Sequence, residues 1–504
     1  MHIRLLYQKI KDVFFKYIVG LGLGIEFLLA LGVYVLAILH IPTQNGDNIE
    51  HIHSTFLVAN GEVPYKDFFQ HHNPLMWYLF IPIISLFEYN PVVIDIVCFI
   101  SFLVFLKSLV YVYNISAEFL TDKFWAVLTC LLIFVPTYKL FAIDFRPDNY
   151  MIFALMGGLY YYFRYLRDKK WKELSVAGVW FFISFLFAQK AVFPLSIIGV
   201  SGIWFIYKKE IVLNDLYKAM VVPLIGVLCF IGYLYYYDMV ELYYTANYTF
   251  NLELVKGFEF SRISAFPLYF KVLISVGGVG VVYSLFSKNR YLLILVILFV
   301  AEFLQRRLYF SPYIYYYWLL VYLAAMVGAF WLYKLDKVNR LVRVLVVLGC
   351  SYFIGLAVSF HGQTLLRKKV GIYLPDYISK QINECDYVFN GDGLMYNMFG
   401  KDPHYYWQLI GQLDVIGDKI GIHPKPNMNE LILKLKPKLV YGGNYFNKFA
   451  QESGRQEIVH YIDKDMIDKY YEASGFGDIR VLKKEYHKKQ CIKNPVTGEW
   501  EYID

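Results

Sequence analysis

The chain has 504 residues, of which 58% are hydrophobic and 18% are charged, and its formal net charge at pH 7 is +8. Soluble domains are nearer to half apolar and a quarter charged, so this composition excludes an ordinary soluble protein. The basic residues lie mainly between hydrophobic segments, which is typical of membrane topology and not of nucleic-acid binding. We therefore expect membrane lipid, and no nucleic acid, among the partners of the chain.

Long uncharged segments recur along the chain up to residue 360 and then stop. Each is close to the ~20 residues that a helix needs to cross ~30 Å of hydrocarbon. They predict a polytopic α-helical membrane protein with about 11 transmembrane helices. The predicted spans are 18–40, 91–114, 124–142, 149–166, 174–189, 191–207, 217–237, 263–286, 291–304, 312–333 and 341–360. The predicted organisation is a membrane domain over 1–360 and a polar domain over 361–504.

Lysine and arginine predict the orientation, because cytoplasmic loops carry an excess of both residues. The N-terminus and the connections RYLRDKKWK (164–172), SKNR (287–290) and KLDKVNRLVR (334–343) are strongly basic. If all of them are cytoplasmic, the loop 41–90 and the tail 361–504 lie outside. We expect a multi-pass protein of the cytoplasmic (inner) membrane, with a cytoplasmic N-terminus and a periplasmic or extracellular C-terminal domain.

The first outer loop, 41–90, contains two apolar stretches that are not counted as spans. The segment PLMWYLFIPIISLF (Pro74–Phe87) is short and contains an internal proline, and counting it would move the later basic loops outside. We expect it to be an interfacial or re-entrant helix. In NIEHIHSTFLVAN (48–60), Ile49, Ile52 and Phe56 fall on one side at helical spacing, which predicts a second helix lying on the membrane interface.

The tail changes character, because short apolar segments alternate there with polar ones. This alternation predicts a small extracytoplasmic α/β domain. Its candidate strands are 387–390, 438–443 and 479–485, and its candidate helices are 428–435 and 465–474. Cys385 and Cys491 are able to form a disulfide if the tail is exported.

Asp47 heads a dense group of acidic residues and histidines in the first outer loop. One interpretation is an N-cap, with Glu50 completing a capping box. The other is a general base that takes a proton from an acceptor hydroxyl. Further candidate substrate-binding residues in this loop are Glu50, His51, Asp67 and His72.

The same loop contains donor atoms for a divalent metal ion. Asp47, Glu50 and His51 share a helix face, and His71 and His72 follow close in sequence. Carboxylates and imidazoles at this spacing are compatible with a divalent cation, although they match no specific motif. The alternative is that these are surface-exposed interfacial histidines. A divalent metal is the one cofactor that the sequence suggests.

Charged residues also occur in the later outer loops. In AIDFRPDNY, Asp144, Arg146 and Asp148 either orient sugar hydroxyls or a phosphate, or form a solvated turn before a helix that begins at proline. Lys190 lies between two apolar segments, where it either binds a phosphate or extends to the outer surface. The pair Arg306 and Arg307 either binds an anionic headgroup or ends a basic loop.

The motifs ANGEVPYKDFFQHHNPL after Asp47, RPD at the start of a helix, and SPYIYYYWLL further on resemble the GT-C superfamily of membrane glycosyltransferases. The resemblance is closest to bacterial relatives of protein O-mannosyltransferases and lipid A aminoarabinose transferases, and it covers about residues 18–360. It implies an inverting hexosyl- or pentosyltransferase. Such an enzyme takes a sugar from a polyprenyl-phosphate carrier and passes it to a glycan, lipid or protein acceptor on the outer face.

The resemblance also implies roles for particular residues. Asp47 occupies the place of the catalytic acidic residue, although many relatives have Asp-Glu where this chain has Asp47-Asn48. The second catalytic aspartate maps to Asp148, with Asp144 as a less close match. The cations that bind the carrier phosphate map to Lys190 and to Arg306 or Arg307.

Two other functions stay open at the level of sequence. A polytopic lipid or glycan transporter or flippase would also have charged residues and aromatic lining, but the two halves show no internal repeat. Its acidic residues would lie deep in the spans, where this chain has only Glu26, Asp95 and Glu302. A non-catalytic scaffold of envelope glycan assembly would retain its function when Asp47 or Asp148 loses its charge.

Overall fold

The computed structural model describes most of the membrane part and parts of the tail. The described residues are 2–40, 46–135, 140–257, 267–308, 314–366, 370–390, 398–402, 405, 420, 427–441, 462–475, 479–488, 490–493 and 500–503. The helices before the tail are α1 (His2–His40), α2 (Gly46–Ala59), α3 (Leu75–Leu86), α4 (Val92–Ala117), α5 (Lys123–Phe134), α6 (Pro147–Asp168), α7 (Trp171–Phe187), α8 (Val192–Tyr207), α9 (Leu213–Tyr236), α10 (Val240–Tyr244), α11 (Asn251–Gly257), α12 (Leu268–Leu285), α13 (Arg290–Leu308), α14 (Trp318–Val338), α15 (Leu341–Leu366) and α16 (Val370–Gln381).

A helix occurs at each of the predicted spans, but these helices differ in length and polarity. Within the described residues, seven helices are long and apolar enough to cross a membrane. They are Val19–Leu39, Val92–Ala117, Gln189–Tyr207, Leu213–Tyr236, Leu268–Leu285, Tyr315–Val338 and Leu341–His361. The helices α5, α6, α7 and α13 are shorter or more polar. The larger number of spans therefore stays a prediction.

Local sequence accounts for where helices begin and end. Helix α5 is capped by Asp122, whose carboxylate accepts a hydrogen bond from the Phe124 backbone N–H at 3.0 Å. Helix α6 begins at Pro147, whose ring has the φ that a first helical turn needs, and carries Asp148 in that turn. It ends at Lys169, which adopts the left-handed conformation at φ 55°. The start of α6 therefore fixes a carboxylate at a helix N-terminus.

Helix α14 lies within the membrane part, since most of its residues are buried. It packs closely against α12 because glycines line the contact. A Cβ on Gly280 would lie 2.5 Å from the Val327 carbonyl oxygen, and one on Gly277 would lie 2.9 Å from the Ala324 Cα. Small residues at such contacts let two membrane helices approach each other closely.

Helix α2 is buried on all sides and does not lie exposed on an interface. Ile49, Ile52 and Phe56 are buried as expected, but so are the polar residues between them. His51 and His53 are 1% and 0% exposed, so the interpretation as surface-exposed histidines is wrong. Helix α3, which contains Pro82, packs against α2 and is too short to be a span.

The described tail contains short strands and helices. They are β1 (Val388–Asn390), α17 (Met428–Leu435), β2 (Leu439–Tyr441), α18 (Lys464–Tyr470), β3 (Tyr471–Ala473), β4 (Ile479–Leu482), β5 (Gln490–Lys493) and β6 (Trp500–Ile503). Four strands form a sheet in the order β1-β2-β4-β3, in which β1 and β2 are parallel and the other pairs antiparallel. The helix expected over 465–474 ends at Tyr470, where the chain continues as β3.

Cys385 and Cys491 form the disulfide that the sequence suggested, with their Cα atoms 5.9 Å apart. The bond joins the segment before β1 to strand β5, across 106 residues of sequence. The predicted division of the chain into domains at residue 360, with the tail as one α/β unit, remains a prediction.

Candidate functional site

Two carboxylates and two cations from three separate segments form a continuous chain of ion pairs. The Arg146 guanidinium donates to the Asp47 carboxylate, and its Nε lies 3.8 Å from Asp148 Oδ2. Lys190 Nζ lies 2.5 Å from Asp148 Oδ1. The structure thus brings together four residues that the sequence had marked in three different outer loops.

Helix starts position each member of this ion-pair chain. Asp47 lies in the first turn of α2 and Asp148 in the first turn of α6, where the helix dipole favours a negative charge. Arg146 precedes α6 with extended backbone at φ −136° and ψ 144°. Lys190 lies in the 3₁₀ turn Gln189–Ala191 that leads into α8. Short rigid helix starts, and not flexible loops, therefore position the charges.

The exposure of the four side chains is graded. Arg146 and Asp148 are 5% and 7% exposed, Lys190 is 15% exposed, and Asp47 is 32% exposed. Buried charges require partners, because an unpaired one would cost several kcal/mol. The interpretations of Asp144–Asp148 as a solvated turn and of Lys190 as extended to the surface are therefore wrong. Access to the ion-pair chain is greatest at Asp47.

The rings of Tyr315 and Tyr316 lie beside the ion-pair chain, and a third cation, Arg306, lies next to them. The Arg146 guanidinium carbon lies 3.3 Å from the centre of the Tyr315 ring, and Lys190 Nζ lies 4.2 Å from that of Tyr316. Arg306 lies 5.8 Å from the Tyr316 ring and forms an i,i+4 ion pair with Glu302 at 3.2 Å. Three cations thus lie against two neighbouring aromatic rings. The side chain of Arg307 lies outside the described part of the chain.

Glu50, His71 and His72 form a buried group beside the ion-pair chain, with one donor atom of each within 4.8 Å of the others. The Nδ1 atoms of His71 and His72 have no hydrogen-bond partner among the described residues. Gln70 Nε2 donates to Glu50 Oε1 at 3.0 Å and thereby holds the carboxylate. This is a donor set that fits a divalent cation such as zinc or manganese.

Burial dominates the electrostatics of this group. It raises the pKa of Glu50 to about 8, and the nearby charge of Asp47 adds to the shift. Burial, reinforced by the charges of Lys190 and Arg146, lowers the pKa of His71 to about 3. The pKa of His72 is also lowered, by burial and by its histidine neighbours. Neutral imidazoles are the form that binds metal.

The metal ligands suggested by sequence were partly different. Glu50 belongs to the group, but Asp47 contacts Arg146 and His51 Nδ1 accepts a hydrogen bond from Trp77 Nε1 at 3.3 Å. The loop after α2 folds back and brings His71 and His72 to Glu50. His71 was noticed in the sequence only as a neighbour of the candidate ligands.

Two of the remaining candidates have local structural contacts. Asp67 lies in an exposed turn, where its carboxylate accepts from the Val63 backbone N–H at 2.7 Å. Asp144 is buried, and its carbonyl oxygen accepts from the Arg146 backbone N–H at 2.9 Å. The Asp67 contact shapes the turn within Glu62–Phe69, and the Asp144 contact shapes the turn that contains Arg146.

Asn48 is a site residue whose role the sequence did not reveal. Its Oδ1 accepts from the Phe145 backbone N–H at 2.7 Å, and its Nδ2 contacts Cys98 Sγ at 3.4 Å. It therefore ties the start of α2 to the turn before α6, next to the Asp47–Arg146 pair. Many relatives in the family that the sequence resembles have Asp-Glu where this chain has Asp47-Asn48. That difference is the signal that could have identified Asn48 as a site residue.

Comparison with known proteins finds similarity to solved structures only. No protein-family model matches the chain, and no curated protein does. Among solved structures, the chain is similar to the Archaeoglobus fulgidus oligosaccharyltransferase in complex with zinc and sulfate, at 14% identity and a TM-score of 0.49 over 89% of this chain and 71% of that one. It is also similar to oligosaccharyltransferase AglB of the same organism with an inhibitory peptide and a dolichol-phosphate, at 13% identity and a TM-score of 0.48 over 97% and 74%. Because these identities and TM-scores are low, the similarity carries no function over to this chain.

Proposed function

We propose that the chain is an inverting glycosyltransferase that moves a hexosyl or pentosyl group from a polyprenyl-phosphate carrier to an envelope glycan, lipid or protein acceptor. The observation that carries the proposal is the ion-pair chain Asp47–Arg146–Asp148–Lys190, which is accessible at Asp47 and lined by aromatic rings. A charged site beside membrane helices suits a substrate with an anionic head and a lipid tail.

The cations match the leaving group of such a reaction. When the bond between the sugar and the carrier breaks, the carrier departs as a phosphate anion, so fixed donors at the leaving oxygen lower the barrier. A well-placed donor contributes about 3 kcal/mol to this stabilisation. Lys190 and Arg306, which both lie near the Tyr316 ring, are the proposed phosphate-binding pair, and Arg146 links the two carboxylates.

Asp47 matches the second requirement, which is a base for the acceptor hydroxyl. An inverting transfer uses one carboxylate on the face of the sugar opposite the leaving group, and it forms no covalent intermediate. Asp47 is the most exposed carboxylate of the ion-pair chain, and Arg146 orients it. Asp148 is nearly inaccessible, and we assign it the role of positioning Lys190 and Arg146.

Glu50, His71 and His72 are the residues that would hold a divalent metal ion. When bound, the ion would supply positive charge that stabilises a negative oxygen on the substrate. Gln70 would then act by fixing the orientation of the Glu50 ligand, as hydrogen-bond partners of metal ligands commonly do.

We further propose that the site faces outward from the cytoplasmic membrane, with the N-terminus inside and the C-terminal domain outside. The disulfide between Cys385 and Cys491 supports this orientation, because disulfides persist in oxidising compartments and are rare in the cytosol. The basic connections on the other side agree with it.

Lipid and glycan mass spectrometry on cells tests the proposal. Cells would carry the wild type, a deletion, Asp47→Asn, or the control Asp376→Asn, which removes a partly exposed carboxylate paired with Lys380 on α16. We expect the deletion and Asp47→Asn each to remove one sugar from an envelope product, while a polyprenyl-phosphate sugar accumulates. If Asp47→Asn behaves as wild type while the deletion has a defect, the transporter and scaffold functions replace this one.

A further inference from the structure

A short stretch of the tail packs directly on the first outer loop. Met398, Phe399 and Gly400 are buried, and Asp402 and Tyr405 follow them. Their contacts reach two parts of the candidate site that are separate in sequence: helix α2, which carries Asp47 and Glu50, and the loop 63–73, which carries His71 and His72.

The first contact is a buried pair between Asp402 and α2. His53 Nε2 lies 2.7 Å from Asp402 Oδ2, and the two side chains are 0% and 11% exposed. Burial by itself would lower the pKa of His53, but the Asp402 carboxylate, a hydrogen bond with the Met398 backbone and the charge of Glu62 together raise it, while burial also raises the pKa of Asp402. One helical turn further, the Phe399 ring packs edge-on against Phe56, with ring centres 5.5 Å apart.

The second contact is made by Tyr405 with the loop. The Phe69 backbone N–H donates to the Tyr405 carbonyl oxygen at 2.8 Å, and the Tyr405 hydroxyl donates to the Tyr65 carbonyl oxygen at 2.5 Å. Tyr65 in turn donates its own hydroxyl to the His72 carbonyl oxygen. One residue of the tail therefore connects, through Tyr65, to the backbone of a candidate metal ligand.

The position of His53 on α2 explains why its contact with Asp402 affects the candidate site. His53 follows Asp47 by six residues, which at 3.6 residues per turn places the two side chains on different sides of the helix. Glu50 lies between the two around the helix, three residues from each, so the tail holds α2 on the side next to the Glu50 carboxylate, and Asp47 lies further round. Rotation of the helix would move both carboxylates relative to Arg146 and the histidines.

We propose that the tail residues 398–402 and 405 form a positioning element of the candidate site, with Asp402 holding α2 through His53 and Tyr405 holding the loop through Tyr65. It contacts no reacting atom and acts by fixing Asp47 and the Glu50 group. The inference rests on the proposed transferase function. A displacement of about 1 Å in reacting groups can cost on the order of 10²-fold in rate.

Hydrogen exchange and kinetics on the full-length protein test this inference. The variants are Asp402→Ala, which removes charge and acceptor, Asp402→Asn, which keeps an acceptor for His53, and Tyr405→Phe, which removes one hydroxyl. Asp376→Asn is the matched surface control, since that carboxylate lies 2.7 Å from Lys380 and is partly exposed. We expect faster exchange over 46–59 in both Asp402 variants and over 63–73 in Tyr405→Phe, and no change in the control.

Transfer kinetics separate positioning from general stability. We expect kcat to fall on the order of 10²-fold in Asp402→Ala and less in Asp402→Asn, with KM for the carrier nearly unchanged. Unchanged exchange over both segments would overturn the proposal, and so would faster exchange with wild-type kcat. If Asp402→Ala does not fold, Asp402→Asn and Tyr405→Phe still decide between these outcomes. If the wild type transfers no sugar, the transferase function fails, while the exchange data still report whether the tail holds α2.

Discussion

Lys190→Met is the substitution that examines the ion-pair chain most directly. Lys190 Nζ lies 2.5 Å from Asp148 and 4.2 Å from the Tyr316 ring, and the side chain is 15% exposed. Methionine keeps most of the apolar stem but removes the charge. If Lys190 meets the departing phosphate, the loss of about 3 kcal/mol of transition-state stabilisation corresponds to about 10²-fold in kcat.

The same substitution has a separate effect on stability. It leaves Asp148 buried with only Arg146 at 3.8 Å as an ionic partner among the described residues. Removing one partner of a buried ion pair costs about 3–5 kcal/mol. Because Arg146 remains, we expect a value near the lower end of that range.

Lys380→Met supplies a matched control for this experiment. Lys380 forms a Lys–Asp contact of similar length, 2.7 Å to Asp376, but its side chain is 69% exposed. An exposed pair of this kind contributes only about 0–1 kcal/mol. The assays are single-turnover transfer from a polyprenyl-phosphate sugar and thermal unfolding, both in lipid nanodiscs. A Lys190→Met protein that folds and keeps kcat within twofold of wild type would refute the assignment of Lys190 to the phosphate.

Three further predictions concern other parts of the molecule. Elemental analysis of purified protein should find about one tightly bound divalent ion per chain, and the Glu50→Gln variant should lose that ion and still fold. Equal metal content in the wild type and the variant would exclude the Glu50 group as the metal site. Cys385→Ser should lower the free energy of unfolding by about 2–5 kcal/mol, because the disulfide closes a long loop, and a value near zero would contradict a structural role. A reporter fused after residue 172 should be cytoplasmic and one after residue 370 external, and the opposite result at either point would invalidate the proposed orientation.

Two of the three carboxylates in the predicted spans, which are the exceptions among the acidic residues, have structural contacts of their own. Glu302 forms an ion pair with Arg306 one helical turn away and so balances the charge of the cation that faces Tyr316. Glu26 accepts a hydrogen bond from the Ser351 hydroxyl, which joins α1 to α15. Neither contact requires a substrate pathway through the spans.

Local sequence patterns specify where the individual helices and strands form. Hydrophobic segments predicted the positions of the membrane helices, because each helix forms its backbone hydrogen bonds within one continuous stretch. Proline followed by Asp148 indicated the start of α6, and the structure begins that helix at Pro147. Alternating short segments located β1, β2 and β4 within the tail.

Residue type also indicated most residues of the site. Ionisable side chains within membrane segments are energetically costly, and those that occur there usually have a function. Lys190 was selected on that ground and Asp47, Arg146 and Asp148 as charged residues of the predicted outer loops, and the four form a chain of contacts in the structure. Their pairing was not predicted, because it joins residues 99 and 42 positions apart in the chain.

Which charged groups are buried, and which of them contact each other, depends on how the elements pack together. The histidines of α2 and its loop could be solvated or buried on the same local pattern, and packing of α3 against α2 settled that they are buried. The contact of His53 with Asp402 spans 349 positions and depends on how the tail docks. Periodicity and composition report the environment along one element, whereas a site made from several elements depends on their relative positions, which no local pattern contains.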